Sequence, residues 1–199
     1  MNAKPQKGTY GYLDKNKWYA WKKAALFLSV PILIFIISWI IHKTRMNVMT
    51  VASIVGCLPG CNQVVQAIVA GRYHSMEKAL YEEIEKVKGE QLVLYENVLT
   101  TYEKTYYIDC LVISGREIVG YSSNPKTDGE KAAEHIKETL KKNSYRQNVK
   151  IFKEKKAFLE RVKSLASGQP ETVPFREDDQ YPGMDREEIV RHLLMAVSL

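Results

Sequence analysis

Residues 24–41 read AALFLSVPILIFIISWII, eighteen positions without a charged side chain. At 1.5 Å per residue a helix over this stretch is about 27 Å long, close to the hydrocarbon thickness of a bilayer. Trp18, Tyr19 and Trp21 precede it and Trp39 closes it, the placement expected of aromatic side chains that sit where headgroups meet water. Lys22 and Lys23 mark the near edge, and His42, Lys43 and Arg45 the far one. Pro31 lies inside the stretch. In lipid the carbonyl that loses its donor finds no better partner outside the helix, so Pro31 is expected to bend this span and not to end it.

The next stretch, residues 46–71, also lacks charge, but it contains Asn47, Thr50, Ser53, Asn62, Gln63 and Gln66, with Gly56-Cys-Leu-Pro-Gly60 near its middle. Two readings compete. One is a returning helix over about 47–70, kinked at Pro59, whose polar residues face the first helix or a second copy of the chain in a homo-oligomer. The other is a re-entrant or interfacial segment. The returning helix is the working expectation, giving two membrane segments within residues 24–71 behind a basic tail over 1–23.

The net charge of +6 is unevenly spread. Residues 1–71 carry eight Lys/Arg against the single Asp14, whereas residues 72–199 carry 21 against 22 Asp/Glu. The excess sits beside the apolar stretches, where basic residues favour the cytosolic face and anionic lipid, so the lipid bilayer is the expected partner and nucleic acid is not. Six lysines precede residue 24, only Lys43 and Arg45 fall in the connecting loop, and Arg72, Lys78, Lys86 and Lys88 follow. This asymmetry places both termini in the cytosol. A cleaved signal peptide fits poorly, because the apolar core is long and no small-residue cleavage site follows it. Ile54-Val-Gly-Cys57 loosely resembles a lipoprotein box, but the charges at 43–45 separate it from the main apolar run.

From residue 72 the pattern becomes that of a small soluble domain, expected to end near 167. Met76, Leu80, Ile84 and Val87 recur at spacings of four and three among glutamates, which predicts an amphipathic helix ending near Gly89. Three strand-like runs follow at 92–99, 106–113 and 117–122. The second, YYIDCLVI, is apolar on both faces apart from Asp109, as a central strand would be, and Ser114-Gly115 makes a hairpin turn to the third. Thr127-Asp-Gly-Glu130 reads as a capping box, with Thr127 as cap, opening a helix to about Asn143 with Ala133, Ile136 and Leu140 inward. A strand at 148–152 and a helix at 154–166, with Phe158, Val162 and Leu165 inward and Gly168 as its stop, complete the order α-β-β-β-α-β-α. The fold class is therefore α+β: a transmembrane helical hairpin followed by this domain. Residues 168–184 read as an acidic, Pro-containing linker. Residues 185–199 form a terminal helix whose apolar residues either dock back on the domain or bind another protein.

Helix, three-stranded meander, helix, strand is also the core order of the restriction-endonuclease-like fold. Tyr107-Ile-Asp-Cys-Leu-Val-Ile-Ser114-Gly115 resembles the strand of nuclease-related domains in which an aspartate precedes an apolar run and a Gly turn. The resemblance covers about residues 76–152. It implies that Asp109 stands where the family holds a divalent metal, with Glu77, Glu82 or Glu83 as the assisting helix acid. The family's Glu-x-Lys on the following strand falls here on Gly120, Tyr121 and Ser122, which supply neither carboxylate nor ammonium. One aspartate binds Mg²⁺ poorly, so the resemblance implies a degenerate site and Asp109 as a hydrogen-bonded buried residue. The alternative reading, with Asp109 and Glu83 as catalytic acids, is a membrane-tethered metal-dependent nuclease or nucleic-acid binder.

Other chemistry is sparse. His42, His74, His135 and His192 are scattered without metal-ligand spacing, and Cys57, Cys61 and Cys110 read as small apolar residues, so no metal site, cofactor or catalytic set is assigned. Residues 126–163 carry twelve Lys/Arg against six Asp/Glu, the pattern of a solvated helical face. The expected function is a non-catalytic binding module at the cytosolic membrane face. Cysteine-accessibility labelling of intact cells tests the orientation: an introduced cysteine near residue 170 should resist labelling from outside, and labelling there would reverse the topology.

Overall fold

The computed structural model describes residues 5–43, 48–101, 104–168 and 181–198. Arg45 and most of the linker expected at 168–184 lie outside them. The chain forms two compact units. One comprises residues 1–5 and 13–74; the other comprises Gln6–Tyr12 and Ser75–Leu199.

The first unit holds α1 (Tyr12–His42) and α2 (Val48–Ala70), both long and apolar enough to cross a membrane. α1 begins twelve residues before the apolar stretch, so the second half of the expected basic tail is helical. Both helices run unbroken through their prolines, Pro31 and Pro59, and α2 takes the form of the returning helix. Small residues let the two backbones approach. Ala24, Pro31 and Ser38 are buried at seven-residue intervals on α1, and Ser53, Gly60 and Ala67 are buried at seven-residue intervals on α2. A Cβ at Gly60 would lie 2.7 Å from Leu28 Cδ2, and one at Gly56 would lie 3.4 Å from Pro31 Cβ. Small-residue seams of this kind supply packing where lipid removes any hydrophobic drive between helices. Of the polar residues expected to face α1, Ser53 does. Asn62 and Gln66, turned away from α1, are exposed, and so is Cys61 on the flank of α2.

The second unit is built on a four-stranded sheet in the order β1 (Leu92–Thr100), β2 (Thr105–Ser114), β3 (Glu117–Tyr121), β4 (Asn148–Phe152). The first two junctions are antiparallel and β3–β4 is parallel. β2 is paired on both edges and buried along almost its whole length, which is what its two-sided apolar sequence predicts. α3 (Lys78–Val87) and α5 (Lys155–Ser167) cover one face through Leu80, Ile84, Phe158 and Val162, packed on Tyr95, Cys110 and Val112. α4 (Gly129–Lys142) and α6 (Arg186–Val197) cover the other through Ile136, Leu140, Ile189 and Leu194, packed on Leu94, Leu111 and Ile113. The N-cap of α4 is Asp128, whose side chain accepts from Lys131 N at 3.3 Å. Thr127, expected in that role, is buried and donates to the Tyr107 carbonyl at 3.1 Å, because the tertiary acceptor outcompetes a local cap.

The terminal helix docks back on its own domain. Arg186 donates to the Gly115 carbonyl at 2.8 Å and Gln147 Nε2 to the same oxygen at 3.2 Å, while Glu187 accepts from Gly115 N, so the β2–β3 turn is gripped from both sides. Gly115 sits at φ +55°, the left-handed conformation such a two-residue turn needs.

Residues 6–12 belong to this unit and not to a free tail. Tyr95 N donates to the Gly8 carbonyl at 3.1 Å, Lys7 Nζ donates to the Ser198 carbonyl at 2.7 Å, and Tyr10 stacks on Tyr81 at 4.3 Å. Together with the Leu99–Ser198 bridge, the segment covers the outer edge of β1, which would otherwise expose a row of backbone donors and acceptors. Gly8 is required there. Its φ is +77°, and a Cβ would fall 2.7 Å from Leu94 Cδ2. Gly8→Ala should therefore lower the domain's unfolding free energy by about 1–2 kcal/mol from the backbone conformation alone, with overpacking added. Denaturant titration of the full chain in mild detergent measures this, and an unchanged midpoint would show that the segment does not hold the edge.

Candidate functional site

Asp109 lies midway along β2 and is 2 % exposed. Its Oδ2 accepts from Ser123 N at 2.6 Å, and the Tyr107 hydroxyl is hydrogen-bonded to the same carboxyl. The Tyr107 carbonyl in turn accepts from Ser122 Oγ at 2.5 Å and from Thr127 Oγ1. One stretch of β2 thus holds both ends of the loop leading from β3 into α4. Burial pushes the Asp109 carboxyl above its ordinary value, while the Ser123 and Tyr107 hydrogen bonds pull the other way. Burial raises Tyr107 too, and the nearby charges of Asp109 and Glu96 add to the effect.

Glu96 is the site's unanticipated member. The β1–β2 ladder pairs Tyr95 with Cys110 and Asn97 with Ile108, leaving Glu96 and Asp109 in the gap between. The pleat slips by one residue there in both strands. Leu94 of β1 and Leu111 of β2 face α4 and α6, yet so do Leu99 and Ile108, which are an odd number of residues away. Glu96 takes the slip with φ +55°, a conformation that costs a non-glycine residue about 1–3 kcal/mol. Its carboxylate, 2 % exposed, compensates: Oε1 accepts from Gly11 N at 2.8 Å and Oε2 from Ser75 Oγ at 3.0 Å. The available signal was Glu96-Asn97, two polar residues in succession within an apolar strand.

The remaining sequence candidates are engaged elsewhere. Glu83 of α3 pairs with Lys155 of α5 at 2.8 Å, both half-exposed, and exposed Glu82 pairs with Lys78 at 3.5 Å. Glu77 is exposed. At the Glu-x-Lys positions, Gly120 has no room for a side chain, since a Cβ would lie 2.8 Å from Leu111 Cδ2 and 3.2 Å from Ile151 Cγ1. Tyr121 packs on Phe158, and Ser122 is spent on Tyr107. Cys110 is fully buried, its thiol pushed up by that burial. Among the described residues no three His, Cys, Asp or Glu side chains gather to hold a metal ion. An open groove of about 430 Å³, lined by Gln6, Lys7, Arg191, His192, Met195 and Ala196, runs between the N-terminal segment and α6. What the Asp109 cluster does chemically is anchor backbone: two buried carboxylates accept from peptide N–H and hydroxyl groups.

No family model matches the chain, and neither a curated protein nor a solved structure matches it.

The folded state holds the Asp109 proton more tightly than the unfolded chain does, so its contribution to stability falls as pH rises from about 3.8 through the native pKa. Asp109→Asn keeps an acceptor for Ser123 N and removes the titration. It should flatten that part of the stability profile when denaturant midpoints are compared across acid to neutral pH. Asp109→Ala leaves the Ser123 N–H and the Tyr107 hydroxyl without their acceptor and should cost about 1–3 kcal/mol at acid pH, and less as pH rises through the native pKa.

Proposed function

We propose that this chain is an integral membrane protein with both termini in the cytosol, whose α/β domain is a non-catalytic binding module at the cytosolic membrane face and a degenerate relative of the restriction-endonuclease-like fold. The observation that carries the reading is the use made of Asp109. The one acid that stands where the nuclease-related strand holds its metal is buried and committed to Ser123 N, and Gly120, paired with Leu111 on that strand, has no space for a second carboxylate. Support for the fold comes from the helix–meander–helix–strand order and the β1-β2-β3-β4 sheet.

Support for the membrane placement comes from the surface of the helices. Ile32, Leu33, Ile37, Ile40 and Ile41 of α1 and Val51, Ile54 and Leu58 of α2 are all exposed, a surface that water would not tolerate over this length. The first turns of α1 carry Lys15, Lys17, Lys22 and Lys23, with Lys22 over the Trp18 ring at 5.0 Å, a pairing suited to the headgroup layer. Gly11, one residue before α1, and Ser75, five residues after α2, both bond to Glu96 within the second unit.

One observation favours the alternative, a membrane-tethered metal-dependent nuclease: Glu96 supplies next to Asp109 a second buried carboxylate that β3 lacks. The assay that separates the two uses the purified chain in lipid nanodiscs with Mg²⁺ or Mn²⁺ on single- and double-stranded DNA and RNA, beside Asp109→Ala. Equal, negligible cleavage by both is expected. Robust cleavage by the wild type that Asp109→Ala abolishes would put the nuclease first.

A further inference from the structure

α2 has a face that its own chain leaves empty. Taking about 100° per residue, Ser53, Gly60 and Ala67 point toward α1, and Asn62 points almost directly away from it. Around Asn62 runs a stripe, Val51, Val55, Leu58, Asn62, Val65 and Val69, at alternating spacings of four and three. Val51, Val55, Leu58 and Val65 are each more than half exposed. Read as heptads, the stripe places Val55, Asn62 and Val69 at one core position and Val51, Leu58 and Val65 at the other. A single asparagine among β-branched residues at the first of these positions fixes one register, and Val51, Leu58 and Val65 supply the apolar second position.

The asparagine decides the occupant. Asn62 is three residues, about 4.5 Å, from the midpoint of a 23-residue helix, well inside hydrocarbon if the helix spans. Its amide has two donors and an acceptor, is exposed, and has no partner among the described residues. Lipid tails offer an amide nothing, so the group is costly there unless another protein satisfies it. A second copy in the same membrane has the same orientation and brings its own Asn62 to the same depth, where one amide donates to the other across a two-fold axis. Gln66, one turn on at the flank of the stripe, adds a second amide in the interface, and Pro59 withholds an N–H from the carbonyl of Val55 on the same face.

We propose that α2 pairs with α2 of a second copy of this chain through Val51, Val55, Leu58, Asn62, Val65 and Val69, with the Asn62 amides hydrogen-bonded to each other within the bilayer. The pairing rests on the membrane reading of α2. α1 lies on the outer side of each α2, so the assembly is a four-helix arrangement with the α2 pair at its centre.

The full chain with Cys57→Ser and Cys61→Ser, keeping buried Cys110, is oxidised in native membranes with Leu58→Cys, Val65→Cys or Ile68→Cys added one at a time. Leu58→Cys and Val65→Cys should cross-link into dimers, and Ile68→Cys, exposed but off the stripe, should not. Asn62→Val keeps the stripe apolar and removes only the amide; by sedimentation equilibrium in detergent it should weaken the dimer about tenfold. A monomeric wild type, equal cross-linking at position 68, or an Asn62→Val dimer as tight as the wild type would each overturn the pairing. Alkaline carbonate extraction separates the two readings. A chain released by carbonate loses both the membrane placement and the pairing, whereas a carbonate-resistant monomer loses the pairing alone.

Discussion

The soluble unit depends on the carboxylate of Glu96. It sits at the one break in the β1–β2 ladder, holds a residue in a backbone conformation glycine would normally occupy, and bonds to the chain on either side of the helical pair. A buried carboxylate without donors would be expensive, and so would the left-handed backbone on its own. Each cost is offset by the same two hydrogen bonds, so the slip in the pleat, the docking of residues 6–12 and the position of Ser75 form one cooperative arrangement. The outer edge of β1 is covered at Tyr95 and Leu99 as a result.

The same economy of small contacts runs through the helices. α1 and α2 meet where alanine, serine, glycine and proline leave room for backbone, with Gly60 closer to Leu28 than Gly56 is to Pro31. The two faces of α2 consequently differ in kind. The inner one is small and close-fitting, and the outer one is bulky, branched and interrupted by amides.

Much of this was legible in the amino-acid order, and the failures share a cause. Strong local periodicity identified α3, α4 and α5, and the two-sided apolar run of residues 106–113 identified the central strand, because burial on both faces leaves its mark in the composition of a segment. The order of elements followed from those. Thr127 was misassigned because its hydroxyl prefers the Tyr107 carbonyl, an acceptor twenty residues away that no local pattern records. Residues 6–12 looked like a solvated tail since lysines and glycines carry no periodicity, and their attachments lie on β1 and at Ser198. Gly56-Cys-Leu-Pro-Gly60 lies within the expected returning helix, but nothing local marks its second glycine as a contact point against α1. For Asp109, the local motif correctly located a buried acid in the central strand; Glu96, which shares its environment, has no motif of its own.

The seal on β1 also orders events in time. Its components lie far apart in sequence: Lys7 meets Ser198 across 191 residues, and Gly11 meets Glu96 across 85. Contacts so distant in sequence close late, after the loop entropy between them has been overcome. During synthesis residues 6–12 are made before the strand they cover and before α6, so they can dock only after both exist. Until they close, the outer edge of β1 stays open, and the domain is finished only when residues 6–12 and Ser198 meet on that strand.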